Sequence, residues 1–520
     1  MQENRKVAKV AILMSGAAAL CRIGSLGKEV YVAWFFGAGM AIDAYSLAIL
    51  VPALGGALFL NAVHRAFILQ FPSHAEEGES EAESLTNLFL TSLLLASVAV
   101  ALLASPAIVP ALKFIPTKNP QVKEYLQELA IPALWMIVPM TMVSGLSSVL
   151  NARQHFSKPQ LTHIFPPVCI AIFVFTAGEV WGPKALIWGL LVGTAVQAMV
   201  LFWMLGRAGH LPRFQLRGLE DVFGGLWKLA LPIVILEVMV QGNTAIDRAM
   251  ASTLAPGKVS VLYWSLMMKD FISRTLVASL LLVLLPHYSR QVASGETGEL
   301  RRSYTLVLRY GAIAMFPLSV LLLLCGPVLF QHLKLGKLDQ EAARTMAFCL
   351  AAYGVSLFAE VASSSFSNAL MALRRIKVLL LISVFAYFIP NIVFNLLLIG
   401  PLGAVGLAIS TSLVSYATLA TNYICLRRNP GMDEEKRSLK LAAGCLAAAL
   451  LMWAVGFGVL KAIQSFAGQD FLTDVAAAVL GGASGLLVYT ILLLKFPGSA
   501  DAKLASRIVV DKIRVTLGMS

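Results

Sequence analysis

Charge is scarce in this chain. Of its 520 residues only 13% are Asp, Glu, Lys or Arg, against about 25% in soluble globular domains. Hydrophobic residues make up 58% and the mean hydropathy is +0.78. That balance excludes a soluble domain and indicates a polytopic membrane protein. Paired cysteines are missing too. Cys21, Cys169, Cys325, Cys349, Cys425 and Cys445 lie in or beside apolar segments without CxxC or Cys/His spacing. They read as small packing residues, neither metal ligands nor a disulfide framework. There is no GxxxxGK[ST] loop, no HExxH and no nucleophile motif, and no loop is long enough to fold as a catalytic domain. An enzyme is therefore not expected, and any energy used comes from an ion gradient or the membrane potential. Ahead of the first long apolar run there is no short apolar stretch with a small-residue cleavage site, so the first helix is expected to remain.

What the chain does have is apolar runs. A spanning helix takes about 20 apolar residues. Runs of that kind recur at 7–35, 41–71, 86–110, 125–152, 158–180, 185–206, 226–253, 259–286, 304–332, 344–371, 376–399, 401–425, 438–461 and 474–495. The expected fold is all-α and polytopic, with about 14 transmembrane helices. Taking the N-terminus as cytoplasmic, 25 of the 41 Lys and Arg residues fall on the inner side, 9 on the outer side and 7 inside the runs. The positive-inside rule then places both termini in the cytoplasm. The net charge of +13 is mostly topological, and nucleic acid drops out as a partner. "HAEEGESEAES" at 74–84 reads as a solvated inner linker, and the basic tail "KLASRIVVDKIRVTLGMS" as an amphipathic surface helix.

Repetition sets the domain organisation. "FFGAGMAIDAYSLA" at 35–48 and "TLAPGKVSVLYWSL" at 253–266 share a Gly and a Tyr at an offset of 218 residues, which also sets Glu29 opposite Asp247. The chain is expected to form two pseudo-symmetric six-helix lobes, 1–206 and 207–428, of the same topology. Residues 429–520 add helices 13 and 14 and a cytoplasmic tail.

An ionisable group at mid-membrane costs about 2.5–3.5 kcal/mol on insertion scales, so it normally faces a partner or a cavity. In helix 1, Arg22 and Glu29 are seven residues apart and share a stripe, while Lys28 points a third of a turn away. The two cations either pair with Glu29 or Asp43, or form a cavity wall facing an anionic substrate. Arg suits forked contacts with phosphate and Lys point-charge contacts. In helix 7, Glu237, Gln241, Thr244 and Arg248 form one polar stripe with Asn243 and Asp247 beside it, a pattern that lines a cavity or packs helices. In helix 8, Asp270 and Arg274 are placed to pair, with Lys269 near them. His64 and Arg65, deep in helix 2, are cavity groups or snorkel inward. Asn391 and Asn395, one turn apart, precede Ser410, Thr411 and Ser412. With a carboxylate such as Asp247 these uncharged oxygens suit a small hard cation.

"CRIGSLGKEVYVAWFFGAGMAIDAYSLAILVP" at 21–52, "AIDRAMASTLAPGKVSVLYWSLMMKDFISRTLVASLLLVLLPHYSRQVASG" at 245–295 and the fourteen-helix pattern resemble the MurJ/MviN lipid II flippase family of the multidrug/oligosaccharidyl-lipid/polysaccharide exporter superfamily. The resemblance implies a bacterial inner-membrane flippase. It would move a polyprenyl-diphosphate-linked glycan outward by alternating access, with a cationic cavity for the head group and a groove at helices 13 and 14 for the tail. It implies that Arg22 matches a cavity arginine, that Lys28 replaces a second and Glu29 the aspartate after it, and that Asp43 matches the acid of GAGMA-x-DA. It also implies a sodium site at Asp247, Asn391, Asn395 and Thr411, with Asn395 where an acid is expected. No other cofactor is implied, and the coupling ion is Na+ or H+. Two family cations are replaced: Gly56 and Ala57 stand at the paired arginine after the helix 2 proline, and "YWSLM" stands for "YADRL". That widens the expected cargo from lipid II to a related exopolysaccharide or O-antigen intermediate. The expected partners are the glycan lipid, the bilayer and glycan-biosynthesis enzymes. Cation-coupled drug efflux, which favours an acidic and aromatic cavity, and a transport-inactive scaffold are the alternatives.

Overall fold

The structure, a computed structural model, describes residues 21–53, 67, 71, 76, 78–153, 157–295, 297–331, 336–426, 433–467 and 470–495. Arg65, His64, Gly56, Ala57 and the basic tail lie outside the described residues, as does the side chain of Glu237. Among the described residues there is no strand, and helix runs through the described part of every one of the fourteen apolar segments. The helices are α1 (21–36), α2 (Met40–Ala53), α3 (Glu79–Ala111), α4 (Pro120–Ala152), α5 (Pro159–Trp181), α6 (Lys184–Arg207), α7 (Leu219–Ala251), α8 (Lys258–Ala293) and α9 (Thr297–Gln331). They continue with α10 (Gln340–Val355 and Leu357–Ala372), α11 (376–402), α12 (404–426), α13 (Asp433–Ala467) and α14 (Phe471–Lys495). Among the described residues eight helices are long and apolar enough to cross a membrane, counting α11 and α12 together, and the bent pair of α10 makes a ninth.

Local chemistry sets the ends. α4 starts at Pro120, where a missing N–H costs nothing, and the Asn119 carboxamide accepts from the amides of Gln121 and Val122. α11 and α12 meet at Gly403, whose φ of 55° is open to glycine. α3 begins at Glu79, so the second half of the acidic linker is helical, with Glu79 and Glu81 in the first turn where the helix dipole favours anions.

The chain divides into two compact units, residues 1–263 with 335–339, and residues 264–334 with 340–520. In unit 1 the core is built from α3, α4 and α6 around Phe67 and Phe89, whose rings stack at 4.2 Å. A Cβ at Gly189 or Gly193 of α6 would meet the backbone of Ile170 or Pro166, so α5 and α6 touch main chain to main chain. At one end of this unit the α1–α2, α7–α8 and α9–α10 connections gather, with the amide of Lys337 donating to Trp34 O at 3.0 Å and Gly257 seated against Ala38. At the other end, Glu79 at the start of α3, Arg153 at the end of α4 and His210 between α6 and α7 meet.

In unit 2, α13 and α14 pack through Gly456, Gly481 and Gly485. Pro317 in α9 leaves Ile313 O without its amide partner, and the Tyr489 hydroxyl of α14 donates to that oxygen at 3.1 Å. α10 bends by 41° at Ser356 with no proline there. Hydroxyls cover the carbonyls around the break: Ser412 donates to Ala352 O at 2.7 Å, Ser319 to Gly354 O at 2.6 Å and Tyr416 to Val355 O at 3.2 Å. Lys269 pairs with Glu360 just beyond the bend at 2.9 and 3.0 Å, and with Asp270 at 3.0 Å. Lys269, which the sequence set near an Asp270–Arg274 pair, is thus tied to a second helix, while the Arg274 side chain lies outside the described residues.

Candidate functional site

Four helices of unit 1 bring polar side chains together. On α1 the ammonium of Lys28 and the carboxylate of Glu29 are in direct contact, their side chains 9% and 8% exposed. Neighbours on a helix diverge by about 100°, an angle that these two long side chains bridge. From α8, the Tyr263 hydroxyl donates to Glu29 Oε1 at 3.0 Å. The ring of Tyr45 on α2 meets the ring of Tyr263 edge-on at 6.3 Å. On the α7 side, the Arg248 guanidinium lies 5.0 Å above the Tyr263 ring and Nη1 donates to Ser46 O at 2.7 Å. Arg22 is half-buried two turns before Glu29 on the same helix.

Asp43 has another position. Its carboxylate accepts from the amides of Gly257 at 2.6 Å and Ser260 at 2.7 Å and from the Ser260 hydroxyl. These are the first turn of α8, so Asp43 caps that helix from α2. Gly257 itself has φ 89° and faces Ala38 O, where a side chain would clash. The two copies of the sequence repeat therefore meet: Ser260 donates to Gly39 O, Gly257 adjoins Gly39, and Tyr263 touches Tyr45.

Of the residues singled out in the sequence, Lys28, Glu29 and Arg248 join one network through Tyr263. Asp43 sits beside it as a helix cap. Gln241 and Thr244 are half-buried and Asn243 is buried, on the same helix as Arg248. Asp247 belongs to unit 1 and Asn391, Asn395 and Thr411 to unit 2. Within unit 2, Asn391 and Asn395 are fully buried, and the Ser410 hydroxyl donates to Asn391 Oδ1 at 3.2 Å. A wide π-type turn, Ser383–Phe388, precedes them. Buried amide oxygens beside a hydroxyl are fitting donors for a hard cation. Sequence reasoning missed Tyr45, Tyr263 and Ser260 as network members. The signal was present in the repeat, which pairs Tyr45 with Tyr263.

Comparison with known proteins adds the family. The model of the lipid II flippase MurJ family matches residues 32–476. A probable lipid II flippase MurJ of Synechocystis sp. is 24% identical over 441 residues, covering 79% of this chain and 79% of that one. A solved lipid II flippase MurJ in an inward closed conformation superposes with a TM-score of 0.74 at 19% identity, covering 93% of this chain and all of the other. An inward-facing multidrug resistance MATE transporter of the MOP superfamily superposes with a TM-score of 0.67 at 12% identity, over 82% of this chain and 98% of its own. These two structures share the fold.

Proposed function

The chain belongs to the lipid II flippase MurJ family, and from that membership we propose that it moves a polyprenyl-diphosphate-linked glycan, lipid II or a related lipid intermediate, from the inner to the outer leaflet of the bacterial inner membrane by alternating access. Its family is one of transporters, not of enzymes. The observation that carries this reading onto the residues is the buried network of Lys28, Glu29, Tyr263 and Arg248, which holds cations from α1 and α7 at a depth where apolar side chains would be more stable. Arg22 and Lys28 supply charge to a diphosphate, Arg248 adds a third cation, and Asp43 positions α8. Glu237 and Arg65 belong to the same reading on sequence grounds. Both termini are cytoplasmic in this proposal. Transport is coupled to Na+ or H+, with Asp247, Asn391, Asn395 and Thr411 as the donors for a cation. Glycan-biosynthesis enzymes are the proposed protein partners.

The test is rescue of a bacterium depleted of its own lipid II flippase. Restored growth with the wild-type chain, lost with Arg22→Ala at equal protein level, assigns lipid II. No growth at full protein level assigns a different polyprenyl-linked glycan.

A further inference from the structure

Where α5 turns into α6, three helices of unit 1 enclose a cavity of about 510 Å³ whose lining shares no residue with the network around Tyr263. Gly182, at φ 55°, carries the chain from the end of α5 to the start of α6 within two residues. α4 contributes Tyr125 and Glu128, α5 Glu179 and Trp181, and α6 Lys184 and Trp188. The α4 pair is three residues apart and the α6 pair four, so each pair shares one helix face. The Lys184 ammonium is 3.1 Å from Glu128, which leaves Glu179 as the carboxylate in excess. Two carboxylates against one ammonium give this lining a net charge of −1, in a chain whose overall charge is +13.

Tyr and Trp at the ends of spanning helices are ordinary, because amphipathic rings settle at the level of the lipid head groups. The carboxylate among them is not. Glu179 lies in the last turn of α5, where the helix dipole already favours a cation over an anion. Its charge deepens that negative pole, and aromatic faces are negative too. All three features call for a cation. The same helix shows what the cation is attached to. Val168, Ile172, Phe175 and Glu179 follow i, i+4, i+7, i+11 and form one stripe, and the three apolar members are 45%, 52% and 81% exposed. On a helix long and apolar enough to span, such a stripe faces acyl chains. A lipid lying along it has its head group at Glu179.

We propose that this cavity binds the head group of a zwitterionic phospholipid with a primary ammonium, a phosphatidylethanolamine. The ammonium rests on Glu179 among the rings of Tyr125, Trp181 and Trp188, the phosphate lies toward Lys184, and an acyl chain follows Val168, Ile172 and Phe175. The net charge of the lining disfavours a head group that is anionic and has no ammonium, such as phosphatidylglycerol. A soluble amine carries the charge without the chains and gains nothing from the stripe. The site is independent of the cargo.

The experiment titrates the purified full-length chain with dioleoylphosphatidylethanolamine or dioleoylphosphatidylglycerol and follows the first bound lipid by native mass spectrometry. The wild type is expected to bind the ethanolamine lipid the more tightly, against the preference that its overall charge would set. Glu179→Gln and Trp188→Ala are each expected to weaken that lipid roughly two- to fivefold, as for an exposed charge contact, and Glu179→Lys to reverse the order of the two lipids. Glu124→Gln, which removes an exposed α4 carboxylate that does not line the cavity, is expected to bind as the wild type does. Tighter binding of phosphatidylglycerol by the wild type, or equal affinity for phosphatidylethanolamine in wild type and Glu179→Gln, overturns the proposal. Equal losses in Glu179→Gln and Glu124→Gln overturn it as well, since they would show a general surface charge in place of a site. Displacement of the lipid by an equal concentration of phosphoethanolamine would show that the chains take no part, and overturns the lipid assignment.

Discussion

Asp43 and Arg22 are both polar residues at membrane depth, but the geometry separates their roles. Asp43 spends its carboxylate on α8, and hydrogen bonds to a charged group are worth about 1.5–3 kcal/mol each. Asp43→Ala is therefore expected to lower the thermal midpoint of the purified chain clearly, and Asp43→Asn by less, while binding of a diphosphate diester such as P1,P2-dimethyl diphosphate, measured well below the midpoint, stays near wild type. Binding that falls with no change in midpoint would show that Asp43 touches cargo. Arg22 is read as a cargo contact: Arg22→Ala is expected to weaken binding of P1,P2-dimethyl diphosphate by roughly ten- to a hundredfold, from the loss of one charge-assisted contact. Arg22→Lys should recover part, because an ammonium keeps the charge and loses the planar fork. Outside the spans, Arg153 donates to Glu79 and holds its carboxyl below the usual range. A depressed carboxylate stabilises the folded chain above its unfolded range and loses that contribution as the pH falls through its folded value. Since Glu79 is 64% exposed, Glu79→Gln should shift stability only slightly and only above about pH 4.

At the scale of helices, the carbonyls around the α10 bend and at Pro317 of α9 depend on hydroxyls from neighbouring helices. Ser412→Ala leaves Ala352 O without its hydroxyl in a dry interior, and Tyr489→Phe does the same to Ile313 O; an orphaned buried group costs about 1–3 kcal/mol. Each variant is expected to lower the thermal midpoint, whereas Thr490→Ala, whose hydroxyl donates to the already satisfied Leu486 O of its own helix, should not. Equal midpoints for all three would mean that water or backbone shifts cover those oxygens. This scale also shows what the sequence could reveal. The apolar runs were legible because twenty hydrophobic residues in a row have few other solutions, and "GPLGAVG" marked the α11–α12 turn because Gly403 needs positive φ. The α10 bend was not legible. It has no proline, and the hydroxyls that pay its cost come from residues 319, 412 and 416, which only the fold brings near. The acidic segment 79–84 looked like linker by composition, and its helix is set by Gly78 and by anions in the first turn.

Across the whole molecule, the site was half legible for the same reason. Charges against an apolar background single out Arg22, Lys28, Glu29 and Arg248, but tyrosines in apolar runs are indistinguishable from packing until Tyr263 is seen on Glu29 and Arg248. The pairing of Lys28 with Glu29 was one of two open readings, and side-chain geometry was needed to find it. Topology carries the last prediction. Among the described residues of unit 1, those beside odd-numbered connections meet at one end, Trp34, Gly257 and Lys337, and those beside even-numbered connections at another, Glu79, Arg153 and His210, which is what helices crossing once each require. The alternation does not itself say which end is inside; the 25 to 9 bias of Lys and Arg predicts that the Glu79 end is, by the cost of moving cations across the membrane during insertion. Glu81 and Lys118 are both exposed, at the two ends of α3. With single cysteines placed at these positions in a chain stripped of its own six, a membrane-impermeant maleimide added to intact spheroplasts is expected to label Lys118→Cys at once and Glu81→Cys only after the membrane is opened. The reverse pattern would turn the molecule over and place Arg207, Arg213 and Arg217 outside. Labelling of both from one side would mean that α3 does not cross the membrane, and would undo the fourteen-helix topology altogether.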